Sequence, residues 1–160
     1  MSTIPDELVV ETTRWLDDVE AALGAAASVG TTLGPEMAAR LAAAVGDVQD
    51  RTARFRDVVE GRAVLGALVA SRWVPLGAVG RPEAERLHHS VIKAAEMPDE
   101  FVERAQTLLF GETRSGFLRH VGDIQSAVFL NLGWGMWSQH RDLFPENWVT
   151  PDEPEGSTSA

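Results

Sequence analysis

The feature that most constrains the fold is the spacing of apolar residues between positions 38 and 59. Steps of three and four residues alternate through this stripe, whose members are Ala38, Leu41, Val45, Val48, Thr52, Phe55 and Val59. Such spacing places the side chains on one side of a long helix that packs at a shallow angle against another helix. The second helix lies either in the same chain, as in a bundle, or in a second copy, as in a coiled-coil dimer.

The rest of the chain also carries helical signals. Thr3 as a cap, with two acids after Pro5, predicts a first helix over 5–27. Proline followed by an acid predicts new helices from 35, 82 and 98. We expect the second helix to continue, with a kink, from Arg62 to Trp73, where Pro75 ends it. Strand-like alternation never persists over five residues. The sequence therefore predicts an all-α bundle of five to six helices over residues 1–144.

The C-terminal residues have a different composition. Residues 145–160 are rich in proline, acids and serine, with Pro151, Asp152, Glu153, Pro154 and Glu155 in succession. Such a segment buries too little apolar area to offset the entropy of ordering it. We predict a disordered acidic tail that the bundle does not need for folding.

The charge and cysteine content exclude several classes of function. The chain has 24 acidic against 14 basic residues, a net charge of −10, so it has no cationic surplus for nucleic acid or for anionic membranes. We see no export signal and no apolar run of the ~20 residues that span a bilayer. It has no cysteine, which excludes disulfides and thiolate sites. We expect a cytoplasmic protein with neither a nucleic-acid partner nor a membrane span.

The predicted last helix, about 115–141, changes character at its middle. Its second half, 127–137, is apolar on every face, which is typical either of a core helix or of a contact surface for a partner. Trp134 and Trp137 continue, at helical spacing, the polar edge formed by Arg119, Asp123 and Ser126. We therefore interpret this stretch as an interaction surface, with the candidate residues Phe129, Leu130, Asn131, Trp134, Met136 and Trp137.

Polar and small residues inside the same stretch need their own explanation. Asn131 either fixes the register of self-associating helices or bonds a backbone carbonyl within a core. Gly133 and Gly135 follow no predicted strand, so close backbone packing is a simpler reason for them than phosphate binding.

Motifs for catalysis are missing from the sequence. It holds no Gly-x-Ser-x-Gly nucleophile motif and none of the glycine-rich phosphate-binding motifs. Glu85 and His88 form the only Glu-x-x-His pair, whereas di-iron carboxylate bundles need two. We predict no catalytic residue, no metal site and no cofactor.

One short stretch nevertheless resembles a known family. His120-Val121-Gly122-Asp123-Ile124 is similar to the His-x-Gly-polar-aliphatic stretch on the last helix of DinB-like four-helix bundles. Members of that family often hold a metal through three histidines, and some are thiol-dependent transferases. The resemblance implies that His120 is a metal ligand. Four residues earlier the chain has Gly116 rather than a second histidine, and the second helix has none.

These observations predict a non-enzymatic helical interaction or assembly protein. It would oligomerise or dock a protein partner through the apolar last helix. The alternative is a bundle that binds an apolar, quinone-like or lipid-like molecule between aromatic residues, with a polar handle: Trp73, Phe129, Trp134 and Trp137, with His120 or Arg72. A third candidate, implied by the resemblance, is a DinB-like metal-dependent transferase.

Overall fold

The computed structural model describes residues 4–70 and 73–145, and every regular element within these ranges is helical. The α-helices are α1 (Asp6–Ser28), α2 (Pro35–Val59), α3 (Arg81–Ala95), α4 (Asp99–Leu108), α5 (Gly111–Ala127) and α6 (Trp134–Gln139). A π-helical turn, Val128–Gly133, joins α5 to α6, and 3-10 turns lie at Val29–Thr32 and Arg141–Leu143. The prediction of an all-α chain is confirmed for these residues.

Four rods build the bundle. Helix α1 packs along α2 and α3, and the continuous rod of α5, the π turn and α6 packs along the other side of α2 and α3. The short α4 packs against α1 and α5. Because α5 and α6 belong to one rod and α4 is short, the predicted number of five to six helices is not confirmed.

The apolar stripe of α2 is used within the chain. Its central residues are buried in the hydrophobic core: Leu41, Val45, Val48, Thr52, Phe55 and Val59. Ala38, at the first position of the stripe, is half-buried. Of the two origins that the spacing allows, the structure therefore contains the bundle seam within one chain.

Residues 60–80, here called the connector, form no helix in their described part. The predicted helix from Arg62 to Trp73 is therefore wrong. Gly61 and Gly66 have φ angles of 81° and 89°, a left-handed conformation that ends an α-helix and that glycine adopts without strain. Helix α2 accordingly ends at Val59.

The connector runs parallel to the rod of α5 and α6 and covers it along its length. Contacts between them join four successive pairs: Gly66 with His120, Val74 with Asn131, Gly77 with Gly135, and Val79 with His140. Gly135 has no side chain at the point where the backbone of Gly77 approaches, which agrees with the expected close packing. The connector thus takes the place of a fifth element beside the four rods.

Within the described ranges, no helix is both long enough and apolar enough to cross a membrane. The predicted tail, residues 145–160, lies outside the described residues except for Pro145.

Candidate functional site

A buried group of charged side chains lies where α2, α5 and the connector meet. Arg51, on α2, is only 1% exposed, and its Nε donates to Asp47 Oδ2 at 3.0 Å. Its Nη1 donates to Asp123 of α5 at 2.5 Å, and its guanidinium lies 5.0 Å from the ring centre of Trp73. The spacing of four residues places Asp47 and Arg51 on the same face of α2. One guanidinium therefore serves two carboxylates and one aromatic ring.

The electrostatic balance of this group is visible at Asp123. Burial raises the pKa of Asp123, and the neighbouring carboxylate of Asp47 raises it further, whereas Arg51 acts in the opposite direction. The ionised form of Asp123 therefore depends on Arg51 remaining in place.

Asn131 connects the charged group to the connector. Its side-chain Nδ2 donates to Asp47 Oδ2 at 2.6 Å, and its Oδ1 accepts the backbone N–H of Val74 at 2.9 Å. Its backbone carbonyl accepts the N–H of Leu76 at 2.8 Å. Asn131 is fully buried in its own domain, so it does not set the register between two copies. Its backbone partner is an N–H group rather than the expected carbonyl.

His120, on α5, holds the connector at a second point. Its Nε2 accepts the backbone N–H of Gly66 at 2.9 Å, and its ring stacks on Phe55 with the centres 4.9 Å apart. Burial, with the nearby charges of Arg54 and Arg119, lowers the pKa of His120 to about 4. The accepting nitrogen is therefore unprotonated at neutral pH.

Together, these residues form a clamp on the connector, consisting of Asp47, Arg51, His120, Asp123 and Asn131. Each of their side chains has a hydrogen-bond partner. In the described part of the chain, the only buried side-chain nitrogen or oxygen without a hydrogen bond is Nε of Arg104, which lies 2.7 Å from Glu11. The polar atoms of the clamp are satisfied by the chain itself, which favours a structural role for them.

The predicted interaction surface on the last helix is largely inside the core. Asn131, Met136 and Trp137 are fully buried, and the prediction that Trp137 projects outward is wrong. The physical reason is the π turn, which contains one residue more than an α turn and so rotates all later residues by about 100°. The remaining candidates are half-buried: Phe129, Leu130 and Trp134.

Trp137 lies at the centre of an aromatic cluster at this end of the rod. Its indole N–H donates to Nδ1 of His88 at 2.9 Å. Its ring centre lies 5.8 Å from that of Phe129 and 5.6 Å from that of Phe144. Burial lowers the pKa of His88, and the neighbouring His89 lowers it further, which keeps the accepting nitrogen available.

The structure brings together three aromatic residues of the predicted small-molecule site, with the ring of Phe129 5.9 Å from that of Trp134 and 5.8 Å from that of Trp137, but not Trp73 or the polar handle. His120 precedes Trp134 by 14 positions, which is about 20 Å along a helical rod. Trp73 stacks on Arg51 instead of joining the aromatic cluster at the far end. Arg72, the other predicted handle, lies outside the described residues.

The metal site implied by the DinB-like stretch also lacks its partners. Within residues 4–70 and 73–145, no group of three histidine or acidic side chains is placed to hold a metal. His120 directs its Nε2 to Gly66.

Comparison with known proteins gave no match. No family model, no curated protein and no solved structure matches this chain.

A surface that the sequence prediction missed lies on the outer side of the connector. Val64 is 75% exposed and Trp73 is 46% exposed, so two of the four exposed large hydrophobic residues of the described chain lie here. Three more apolar residues between them are half-buried: Leu65, Leu68 and Val69. We call these five residues the connector face. The available signal was the apolar run from Val64 to Val79 that contains glycines.

Proposed function

We propose that this protein is a non-enzymatic helical interaction protein that docks a protein partner through the connector face. The observation that carries the proposal is an apolar strip whose inner side is clamped to the bundle and whose outer side remains exposed. Contiguous exposed apolar surface of this kind usually marks a contact site. The interaction class is the one that the sequence suggested, but its surface moves from the last helix to the connector.

The clamp makes the connector a suitable docking element. The hydrogen bonds to Gly66, Val74 and Leu76 already hold its backbone in one conformation. A partner therefore has little ordering entropy to overcome when it binds. Full burial of one valine or leucine side chain contributes about 1.5–3 kcal/mol, so covering several of them supplies a substantial share of a binding free energy.

A protein of another kind fits this surface better than a second copy. Each chain has a net charge of −10, and two such chains repel each other as they approach.

The test compares three tagged proteins in cells of the source organism. Wild type and V10S, whose changed residue is 56% exposed on α1, should capture the same partner, and V64S/L68S should lose it. Circular dichroism and urea unfolding check that each variant folds, and V64Q serves as a milder change. Equal capture by all three proteins would contradict the proposal, as would a native mass in which this face holds two copies together.

A further inference from the structure

We infer that the connector face binds an acidic segment of its partner, one in which carboxylates accompany apolar side chains. This inference rests on the proposed function and adds the chemistry of the partner. The first observation is the local charge. Residues 61–82 contain neither aspartate nor glutamate, although acids outnumber bases by ten in the whole chain.

The second observation is a pair of guanidinium groups without an ion-pair partner, one of which lies beside Gly66. Arg54 and Arg119 form no ion pair within the described chain, in contrast to six other arginines: Arg40, Arg51, Arg56, Arg62, Arg81 and Arg104. Arg119 is exposed, and its Nη1 would lie 3.9 Å from a Cβ atom built on Gly66. Arg54 is half-buried.

Arg54 and Arg119 directly precede, in the chain, the two stacked rings of Phe55 and His120, whose centres lie 4.9 Å apart. Arg54 and Arg119 each lower the pKa of His120, the residue that holds Gly66. Both guanidinium groups therefore lie near the ring that holds Gly66.

Neighbouring acids leave these two charges available. Arg62 is paired with Asp57 and Glu60, so its charge is compensated. Asp123 is engaged by Arg51. Asp50 lies one helical turn before Arg54 and forms no ion pair with it.

A carboxylate is the group that completes this surface. Arginine binds carboxylates through two parallel N–H···O bonds, while Val64 and Leu68 offer apolar contact beside it. A nucleic acid suits it poorly, because two guanidinium groups cannot offset the repulsion between phosphates and a chain of net charge −10. An acidic peptide meets both requirements at once.

The test measures fluorescence anisotropy with two labelled decapeptides, one of alternating leucine and glutamate and one of alternating leucine and lysine. The glutamate peptide should bind the full-length protein, more weakly at high salt, and the lysine peptide should not. R54E/R119E should weaken binding at least about tenfold. R14E/R86E is the matched control because both residues are exposed and unpaired on α1 and α3, and its affinity should stay within about twofold of wild type.

Three results would overturn the inference. The first is equal binding of the lysine peptide, or unchanged binding by R54E/R119E and by the milder R54Q/R119Q. The second is tighter peptide binding by full-length D152N/E153Q/E155Q, which would make this chain's own acidic segment the occupant. The third is a dimer that R54E/R119E dissociates.

Failure here is distinguishable from failure of the proposed function. If V64S/L68S loses its cellular partner and the glutamate peptide does not bind, the docking surface stands and the acidic chemistry is wrong. If V64S/L68S keeps its partner, the docking surface itself is wrong.

Discussion

A buried guanidinium shared by two carboxylates is stable only as a complete set. Arg51 is 1% exposed, and its partners Asp47 and Asp123 are held away from water with it. Burying such a set costs hydration energy that only mutual pairing offsets, so the loss of one member leaves an uncompensated charge inside the protein. The set therefore matters most for which conformation the connector adopts, since Trp73 and Asn131 both contact it.

Replacing Arg51 tests this set. R51M should lower the free energy of unfolding by about 3–5 kcal/mol, because Asp47 and Asp123 would remain buried without their partner. R40M, which removes an exposed pair with Glu36 on the same helix, should change it by less than about 0.5 kcal/mol. Urea unfolding followed by circular dichroism measures both values, and similar losses for the two variants would contradict the buried set.

His120 should make stability depend on pH. Its pKa is about 4 in the folded protein and near its ordinary value of 6.5 in the unfolded chain. The unfolded chain therefore takes up the proton first as pH falls. The stabilisation is complete above pH 6.5 and is lost progressively towards pH 4, by up to about 3 kcal/mol.

The variant H120Q isolates this effect, because glutamine can still accept the N–H of Gly66 but does not titrate. Between pH 6.5 and 4, wild type should lose about 2–3 kcal/mol more stability than H120Q. The raised pKa of Asp123 has the opposite sign, but it is present in both proteins and cancels in the difference. Parallel profiles for wild type and H120Q would contradict the assignment.

At the scale of elements, local signals predicted the helices but not the connector. Proline followed by an acid fixes the starts of α2 and α3, and both begin where the sequence indicated. Val64, Leu65 and Leu68 have helical spacing, but the left-handed Gly66 between them and its bond to the distant His120 decide their conformation. The π turn had no local signal in the sequence either. It becomes visible only as a rotation of the residues after it relative to the face of α5.

A methyl group added at Gly135, where the connector touches the rod, should push the two apart. The Cβ atom of G135A would lie 2.6 Å from the carbonyl oxygen of Gly77, so the connector would have to move. We expect a loss of about 1–3 kcal/mol. G122A, on the same rod, meets no atom within 4 Å and should be neutral or stabilising by up to about 1 kcal/mol. Thermal unfolding of the two variants checks the difference, and equal melting temperatures would exclude the close approach.

At the scale of the whole molecule, Trp137 belongs to the core and not to a docking face. W137S should lower the free energy of unfolding by about 3–5 kcal/mol, since its ring is fully buried. W134S should cost less than half as much, because Trp134 is half-buried. Urea unfolding gives both values. A fall in native mass with unchanged stability of W137S would restore the interaction surface that the sequence predicted on the last helix.

The sequence predicted the residues of the clamp unevenly. Asn131 and His120 were candidates because a polar residue in an apolar run needs a partner and because His120 lies in the DinB-like stretch. Asp47 and Arg51 were not, because an acid and an arginine four residues apart are typical of an exposed helix face. Their burial depends on α5 and the connector, which come from other parts of the chain. That Arg54 and Arg119 lack an ion-pair partner likewise follows only from the assembled fold.

The parallel path of the connector beside the rod has a consequence for protein synthesis. The bonds that hold it join residues 54 to 61 positions apart: Gly66 to His120, Val74 to Asn131, and Val79 to His140. A ribosome adding about 5–20 residues per second leaves an interval of about 3–12 s between the two members of each pair. During that interval the apolar connector has emerged without its rod. A released fragment that ends at Ala95 should therefore bind a chaperone that the full-length chain does not bind, which a pull-down of the two purified chains measures.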